Sequence, residues 1–320
     1  MSPIGVLRLD GVPAARLASL SRAALDSPLR QPAELLLATV ADEAVVLGAL
    51  QRASELAGEL DASSALLRRG SCGAEVRVGP GSLWMQLSLE RSDALVACEP
   101  SRLLNRYVRP VLRALTKVGA LAHYFDRDWI SVGRRPVGSI SLSHDAGTKR
   151  ALVEIVIAQR LPFALRARPS YRGKPPATLD ELGIDVDLTR LADAIAEAHA
   201  EAYGRTLVEL APPLSLSSPL ESATDLRSEL PWTATRSEAI GLVAAGRDHE
   251  GRMRVGGELM ASRDAIARLE SAIAAIAGDG PALGRAVDAL AGPGTALLGV
   301  RALSSIRDAI DEAIAREATQ

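Results

Sequence analysis

The stretch that most constrains this chain is Leu66–Leu89, LLRRGSCGAEVRVGPGSLWMQLSL. An apolar approach (Leu66, Leu67) reaches a double arginine (Arg68, Arg69), and a small-residue turn follows (Gly70, Ser71, Cys72, Gly73, Ala74). Two alternating segments then flank the break at Gly79–Gly81. Small residues let a backbone bend sharply and approach a bound group closely, and two guanidiniums beside them supply positive charge for a carboxylate or phosphate. Arginines at a strand end also read as solvated edge chemistry. Taken alone, the stretch leaves both readings open.

The 320 residues suffice for two domains, each with its own core. A net charge of −2 and a pI near 6.2 argue against a broad nucleic-acid or membrane-surface patch. No apolar run approaches the roughly 18 residues of a membrane span, and the N-terminal region lacks a signal-peptide core, so a cytoplasmic protein is expected. Cys72 and Cys98 are the only cysteines, which excludes a disulfide framework and a cysteine metal cluster. His123, His144, His199 and His249 show no metal-ligand spacing, and no resident metal is expected from these residues. Lysine is confined to Lys117, Lys149 and Lys174 among 37 lysines and arginines in all, so arginine stands in many positions where lysine would serve.

Taken in order, residues 13–25 predict a first helix with Pro13 in its first turn. Leu35–Val40 and Ala44–Gly48 predict buried strands, and a short helix is expected over Ser54–Leu60. Strands are predicted at Ala65–Arg69, Glu75–Val78 and Ser82–Leu89. A helix through Leu104, Val108, Val111, Leu115 and Val118 should kink or split at Pro110. Further β-like segments span Ala122–Val132, Pro136–Leu142 and Leu152–Ala158, and Arg166–Ala177 reads as an Arg- and Pro-rich loop. Asp187 is a plausible N-cap for a helix running to Tyr203. The Pro- and Ser-rich segment after Leu210 reads as a linker. Beyond it, segments at Ala239–Ala245 and Met253–Met260 and helices over Arg263–Ala277, Pro281–Leu290 and Leu303–Ala315 predict a small α+β module.

The second informative stretch is Asp126–Ser141, DRDWISVGRRPVGSIS. It offers the Asp128 carboxylate, an apolar strand, a turn at Gly133, the pair Arg134–Arg135, and a return with Gly138 and Ser139. If the strands pair, both arginine pairs can face one pocket; Gly133–Arg135 is also an ordinary hairpin turn. The ordered set, RRGSCGAEV, a strand pair, a helix, then DRDWISVGRRPVGS, resembles the lipoate–protein ligase A family of the biotin/lipoate ligase fold. That family carries Arg-Arg-x-Ser-Gly-Gly-Gly-Ala-Val, later Asn-Asp, then Gly-x-Lys-x-x-Gly. The first motif falls on Arg68, Arg69, Ser71, Cys72, Gly73, Ala74, Glu75 and Val76, the second on Arg127, Asp128, Gly133, Arg135 and Gly138. Val45–Gln51, Thr178–Ile184 and Leu191–Gly204 look like further family segments, so the resemblance spans nearly the whole chain.

The resemblance implies an α+β fold: a mixed-sheet ligase-type catalytic domain (1–210), a linker (211–224) and a small α+β accessory domain (225–320). It implies an enzyme that activates lipoate or octanoate with ATP and Mg2+ and passes the acyl group to a lysine of a lipoyl-domain acceptor. Arg135 would be the catalytic cation. Arg68, Arg69, Ser71, Cys72, Gly73, Ala74, Asp128, Gly138 and Ser139 would line the substrate and nucleotide site. The sequence departs from the pattern where chemistry is expected. The family lysine is Arg135, a planar guanidinium not interchangeable with a compact ammonium. The three glycines become Cys72, Gly73 and Ala74. Glu75 replaces an alanine and brings a carboxylate that would repel an acyl-adenylate if it faced inward. Val78 and Arg127 replace a family His and Asn. Losing one transition-state donor commonly lowers rate by about 10²–10³. The alternative is therefore a pseudoenzyme that keeps the fold as a binding or partner module. Cys72 reads as a small buried thiol, with a nucleophile as the sharper alternative. Cys98 reads as structural, His144 as a loop residue and His199 as a helix-surface residue. Lys149, in DAGTKRAL, reads as a loop residue, with a reach into the pocket in place of the missing lysine as the sharper alternative.

Overall fold

The computed structural model describes residues 2–61, 63–212, 225–276 and 279–317; most of the expected linker lies outside them. The chain opens with β1 (Ile4–Val12), unforeseen in the sequence reading, and α1 (Ala14–Ala23), which follows Pro13 as expected. β2 (Ala33–Val40) and β3 (Ala44–Leu47) come next, and the helix expected near 54–60 is a single 3₁₀ turn, Ala53–Leu56. β4 (Leu66–Arg68), β5 (Val76–Val78) and β6 (Ser82–Leu89) carry the opening stretch. The following helix divides into α2 (Leu103–Tyr107) and α3 (Arg109–Lys117), with Pro110 in the first turn of the second half. There its missing N–H is harmless.

Ala122–Val132 is a hairpin, β7 (Ala122–Tyr124) and β8 (Trp129–Val132), because Asp126 turns the chain at φ 52°. β9 (Arg135–His144) and β10 (Ala151–Ala158) follow, the second buried along its whole length. α4 (Leu188–Tyr203) begins where Asp187 accepts the Thr189 amide on its carboxylate. Asp187→Ala is expected to lower stability by about 1 kcal/mol, read as a shifted urea midpoint at unchanged m-value. An unshifted midpoint would show that packing alone sets this helix start.

β11 (Leu207–Glu209) closes the first unit by pairing parallel with β1. The main sheet runs β11-β1-β2-β6-β10-β9-β8-β7, parallel at β11/β1/β2 and antiparallel elsewhere, and a small sheet β4-β3-β5 packs beside it. One face of the main sheet buries Leu35, Met85 and Ile155 under α2, α3 and α4; the other buries Ala38, Trp84 and Val156 under α1 and the small sheet. Strand alternation thus sorts two cores from one set of strands.

The remainder forms β12 (Ala234–Ser237), β13 (Leu242–Arg247), β14 (Met253–Gly257), β15 (Met260–Ala261), α5 (Arg263–Ala275), α6 (Gly280–Asp288), β16 (Leu297–Leu298) and α7 (Leu303–Glu317). A β12-β13-β14 sheet and the three helices enclose a core of their own around Val243, Val255, Leu269 and Ile310. This module packs against the first through β15, which lies beside β9.

Candidate functional site

The face of the main sheet under α1 carries a transverse row in direct register: Ser141 on β9, Glu154 on β10, Gln86 on β6 and Leu36 on β2. Glu154 is only 1% exposed, in a strand whose other residues are all apolar. A buried carboxylate needs donors or a cation, and the opening stretch supplies them. Ser71 Oγ (2.5 Å), Ser21 Oγ (2.8 Å) and Trp84 Nε1 (2.8 Å) donate to Glu154, and Ser71 Oγ also meets Ser141 Oγ at 2.8 Å.

Arg69 is buried behind this row, with burial pushing its pKa down. Its guanidinium donates to Ser71 Oγ (2.8 Å), Ala74 O (2.6 Å) and Val46 O (3.3 Å). Arg68 turns the other way, gripping Glu229 with two 2.7 Å bonds and Gln51 O at 2.6 Å. The two arginines are thus spent on protein acceptors rather than on a solvated edge. The small residues of the turn permit close packing: a Cβ on Gly48 would lie 1.9 Å from Gly73 O, and Gly73 itself has φ +112°. β15 covers the turn. Cys72 pairs with Leu142 and reaches Ala261 O at 3.8 Å, and burial pushes its thiol pKa up, the opposite of an activated nucleophile.

Arg135 begins β9, and its guanidinium contacts Pro175 O (3.1 Å), Pro176 O (2.7 Å) and Glu181 (3.2 Å). Leu142, beside Cys72, is seven residues further along the same strand, roughly 23 Å away at strand rise. The structure therefore does not bring the two arginine pairs into one pocket; an extended strand separates them. Gly138 and Ser139 lie buried between, with Ser139 opposite Trp129. Lys149 is exposed on the β9–β10 hairpin. His144 ends β9, buried against Ser262 (2.8 Å), and is not a loop residue. His199 is fully buried rather than on the helix surface; burial lowers its pKa to about 4.

The groups that do meet at Asp128 and Glu75 were not singled out from the sequence. From the segment read as a loop, Arg168 Nη1 donates to Asp128 Oδ2 (2.5 Å) and its Nη2 to Glu258 Oε2 (2.8 Å). Arg166 Nε donates to Glu75 Oε1 (3.0 Å) and its Nη2 to Glu258 Oε1 (2.8 Å). Glu75 does face inward, and Gln51 Nε2 donates to its other oxygen at 2.9 Å. The result is a largely buried chain, Glu75–Arg166–Glu258–Arg168–Asp128, with Glu258 supplied by the second module and the Arg166 side chain 21% exposed. Burial raises the Glu258 pKa, opposed by Arg168. Burial also works against the Arg168 charge, yet Asp128 and Glu258 push its pKa well up. The lone carboxylate in an apolar run was a usable signal for Glu154; nothing local marked Arg166, Arg168 or Glu258.

Beside this chain, Glu55 accepts from Trp232 Nε1 (2.7 Å), Gln51 Nε2 (3.1 Å) and the Arg52 amide (2.9 Å), while the Arg52 guanidinium lies 3.8 Å over the Trp232 ring. Burial raises its pKa to about 7. An acid raised in the folded state binds a proton more tightly there. Its contribution is therefore full below the unfolded value near 4.5 and lost as pH rises through about 7. Glu55→Gln should remove this slope, on the order of 2 kcal/mol after allowing for partial exposure. Urea midpoints of both proteins measured at about pH 5 and pH 7.5 check it; parallel lines would refute the assignment.

A cavity of about 400 Å³ lies under α1 on the same sheet face, walled by Leu7, Leu20, Leu36, Gln86 and Leu210. It does not run between the 68–76 turn and Arg135. A second, of about 570 Å³, lies at the seam between Arg52, Arg68, Glu229, Trp232 and His249.

No family model matches the sequence, and no curated protein matches it. Solved structures do match. P. falciparum LipL1 in complex with lipoate aligns over 98% of this chain and 99% of its own, with TM-score 0.64 and 11% identity. A lipoate-protein ligase A bound with ATP aligns over 67% and 90% (TM-score 0.53, 14% identity). The bi-partite lipoate protein ligase of Thermoplasma acidophilum, studied with its E2 lipoyl domain, aligns over 67% and 88% (TM-score 0.53, 13% identity). The chain has the lipoate–protein ligase fold, a mixed-sheet α+β unit with further strands and helices C-terminal to it. Among the described residues no helix is long and apolar enough to cross a membrane.

Proposed function

We propose, from the lipoate–protein ligase fold, that this chain is an acyl–protein ligase: it joins a lipoyl or octanoyl carboxylate to AMP at the expense of ATP, then passes the acyl group to a lysine of a lipoyl domain. The observation that carries the reading is the alignment of both units, not the first alone, with a lipoate-bound relative over nearly the full length of each chain. The ATP-bound ligase and the E2 lipoyl domain of the archaeal system support the co-substrate and acceptor classes. The 1–210 and 225–320 division belongs to the same proposal, and so does a cytoplasmic site of action.

Under this reading Ser71, Gly73 and Ala74 present the turn to the acyl-adenylate, with Cys72 packed behind them and Gly138 and Ser139 on the facing strand. Arg68 and Arg69 fix that turn. Arg135 holds the motif position of the family lysine; roughly 23 Å of β9 separate it from the turn, so to meet the phosphate of the same adenylate its guanidinium must leave Pro175, Pro176 and Glu181 and extend along the strand. Mg2+ ordinarily arrives on nucleotide phosphates and takes only one or two protein carboxylates. Asp128 fits that demand, since its Oδ1 is buried without a protein donor.

A specific observation favours the second reading, a pseudoenzyme. Arg68, Arg69, Arg166 and Arg168 all bond protein acceptors, while Glu75, Asp128 and Glu154 bring negative charge to the region an acyl-adenylate would enter. Lipoate- and octanoate-dependent pyrophosphate exchange, with acyl transfer to a lipoyl domain, separates the two. Turnover that survives Arg135→Ala would remove that residue's role. Absence of turnover with both acids would leave the partner-module reading.

A further inference from the structure

The charge count in the buried seam is uneven. Among the described residues, the ion pairs of Glu75, Asp128 and Glu258 run to Arg166 and Arg168 alone. Glu75 and Asp128 come from the first unit, as do both arginines, and each of these carboxylates already pairs with one guanidinium. Glu258 is the surplus anion. It comes from the other module and places one oxygen on each arginine at 2.8 Å.

We infer that Arg166 and Arg168 form a binding site for an oxyanion, carboxylate or phosphate, which Glu258 occupies in place of the ligand. Two guanidinium edges converging on two oxygens of one group are the arrangement by which arginine recognises carboxylates and phosphates. The fit around Glu258 is close: a Cβ on Gly241 would fall 1.4 Å from Glu258 Oε2, and Arg168 Nη2 also reaches Ile240 O. The buried Arg168 Nε lacks a protein partner, so one donor of the cluster is left unused, while the unpartnered Asp128 Oδ1 is an acceptor and adds nothing for an anion. A ligand enters by displacing Glu258, and its apparent affinity falls by the fraction of molecules in which Glu258 has left. The site stands on the seam geometry; only the identification of its ligand as an acyl acid or its adenylate rests on the ligase reading.

The test is Glu258→Gln in the full chain, with binding of sodium octanoate, inorganic pyrophosphate and octanoyl-AMP measured by calorimetry and near-UV circular dichroism confirming the fold. The variant is expected to bind at least one of the three about tenfold or more tightly than the native chain, and Arg166→Gln added to it should abolish the gain. A gain with octanoate alone assigns the carboxylate, one with pyrophosphate alone the phosphate. A gain without any ligase turnover keeps the anion site and removes the ligase reading. Should Glu258→Gln not fold, Glu258→Asp, which withdraws the carboxylate by one methylene, is expected to give a smaller gain of the same kind. Equal binding by native and folded variant chains overturns the site, whatever the activity.

Discussion

Arg168→Met is expected to lower stability by about 3–5 kcal/mol, the usual penalty when one partner of a buried ion pair is removed. Arg168 is 7% exposed, and its loss leaves Asp128 without a cation and Glu258 with Arg166 alone. The Ile240 carbonyl loses a donor as well. Methionine keeps much of the apolar stem volume, so the effect reports charge more than packing. Adding Asp128→Asn should recover part of the loss, because the amide removes one stranded charge; such non-additivity is what residues in contact produce. Breaking the exposed pair Arg77–Glu43 provides the control and should leave the urea midpoint unresolved from native. An Arg168→Met chain as stable as the control would mean that water reaches the seam and that its charges are screened.

Much of the first unit was legible because its signals are local. The alternation in Ser82–Leu89 became β6 with the same limits, Asp187 caps α4 as expected, and Pro110 divides a helix where a proline without an N–H must. The turn Gly70–Ala74 was legible as a place of close backbone approach. What escaped was whatever depends on a partner far along the chain. β1 pairs in parallel with β2 and with β11, a strand of three residues too short to show a period. Arg166 and Arg168 sit in a segment whose prolines mark a loop, and no local pattern says that its arginines turn inward to a glutamate some 90 positions later. His199 shows the same limit, since α4 is covered on more than one side by α3 and the sheet. A single amphipathic stripe underestimates burial there.

The two adjacent arginines differ in burial, and so in what their loss costs. Arg69→Met should lower stability by about 3–5 kcal/mol, because Ala74 O and Val46 O lose their donor and Glu154 loses the cation behind its serine shell. Glu154→Gln in the same chain should restore a substantial part, since the buried anion is gone, Trp84 can still donate to the amide oxygen and the serine hydroxyls can turn to accept from the amide nitrogen. Arg68→Met should be milder: its partner Glu229 is a quarter exposed and can turn to water. Unequal penalties, large for Arg69 and small for Arg68, would identify the pair as one core strut and one seam contact. Equal, small penalties accompanied by loss of octanoyl-AMP binding would instead make both arginines ligand-binding groups whose bonds to the protein are incidental. Thermal melts of the two variants with and without octanoyl-AMP separate these outcomes, because a ligand that binds only the folded chain raises its melting point in proportion to RT ln(1 + [L]/Kd). The buried geometry of Ser71, Glu154 and Arg69 places the weight on the first outcome: a turn of this composition is held by its arginine before it holds anything else.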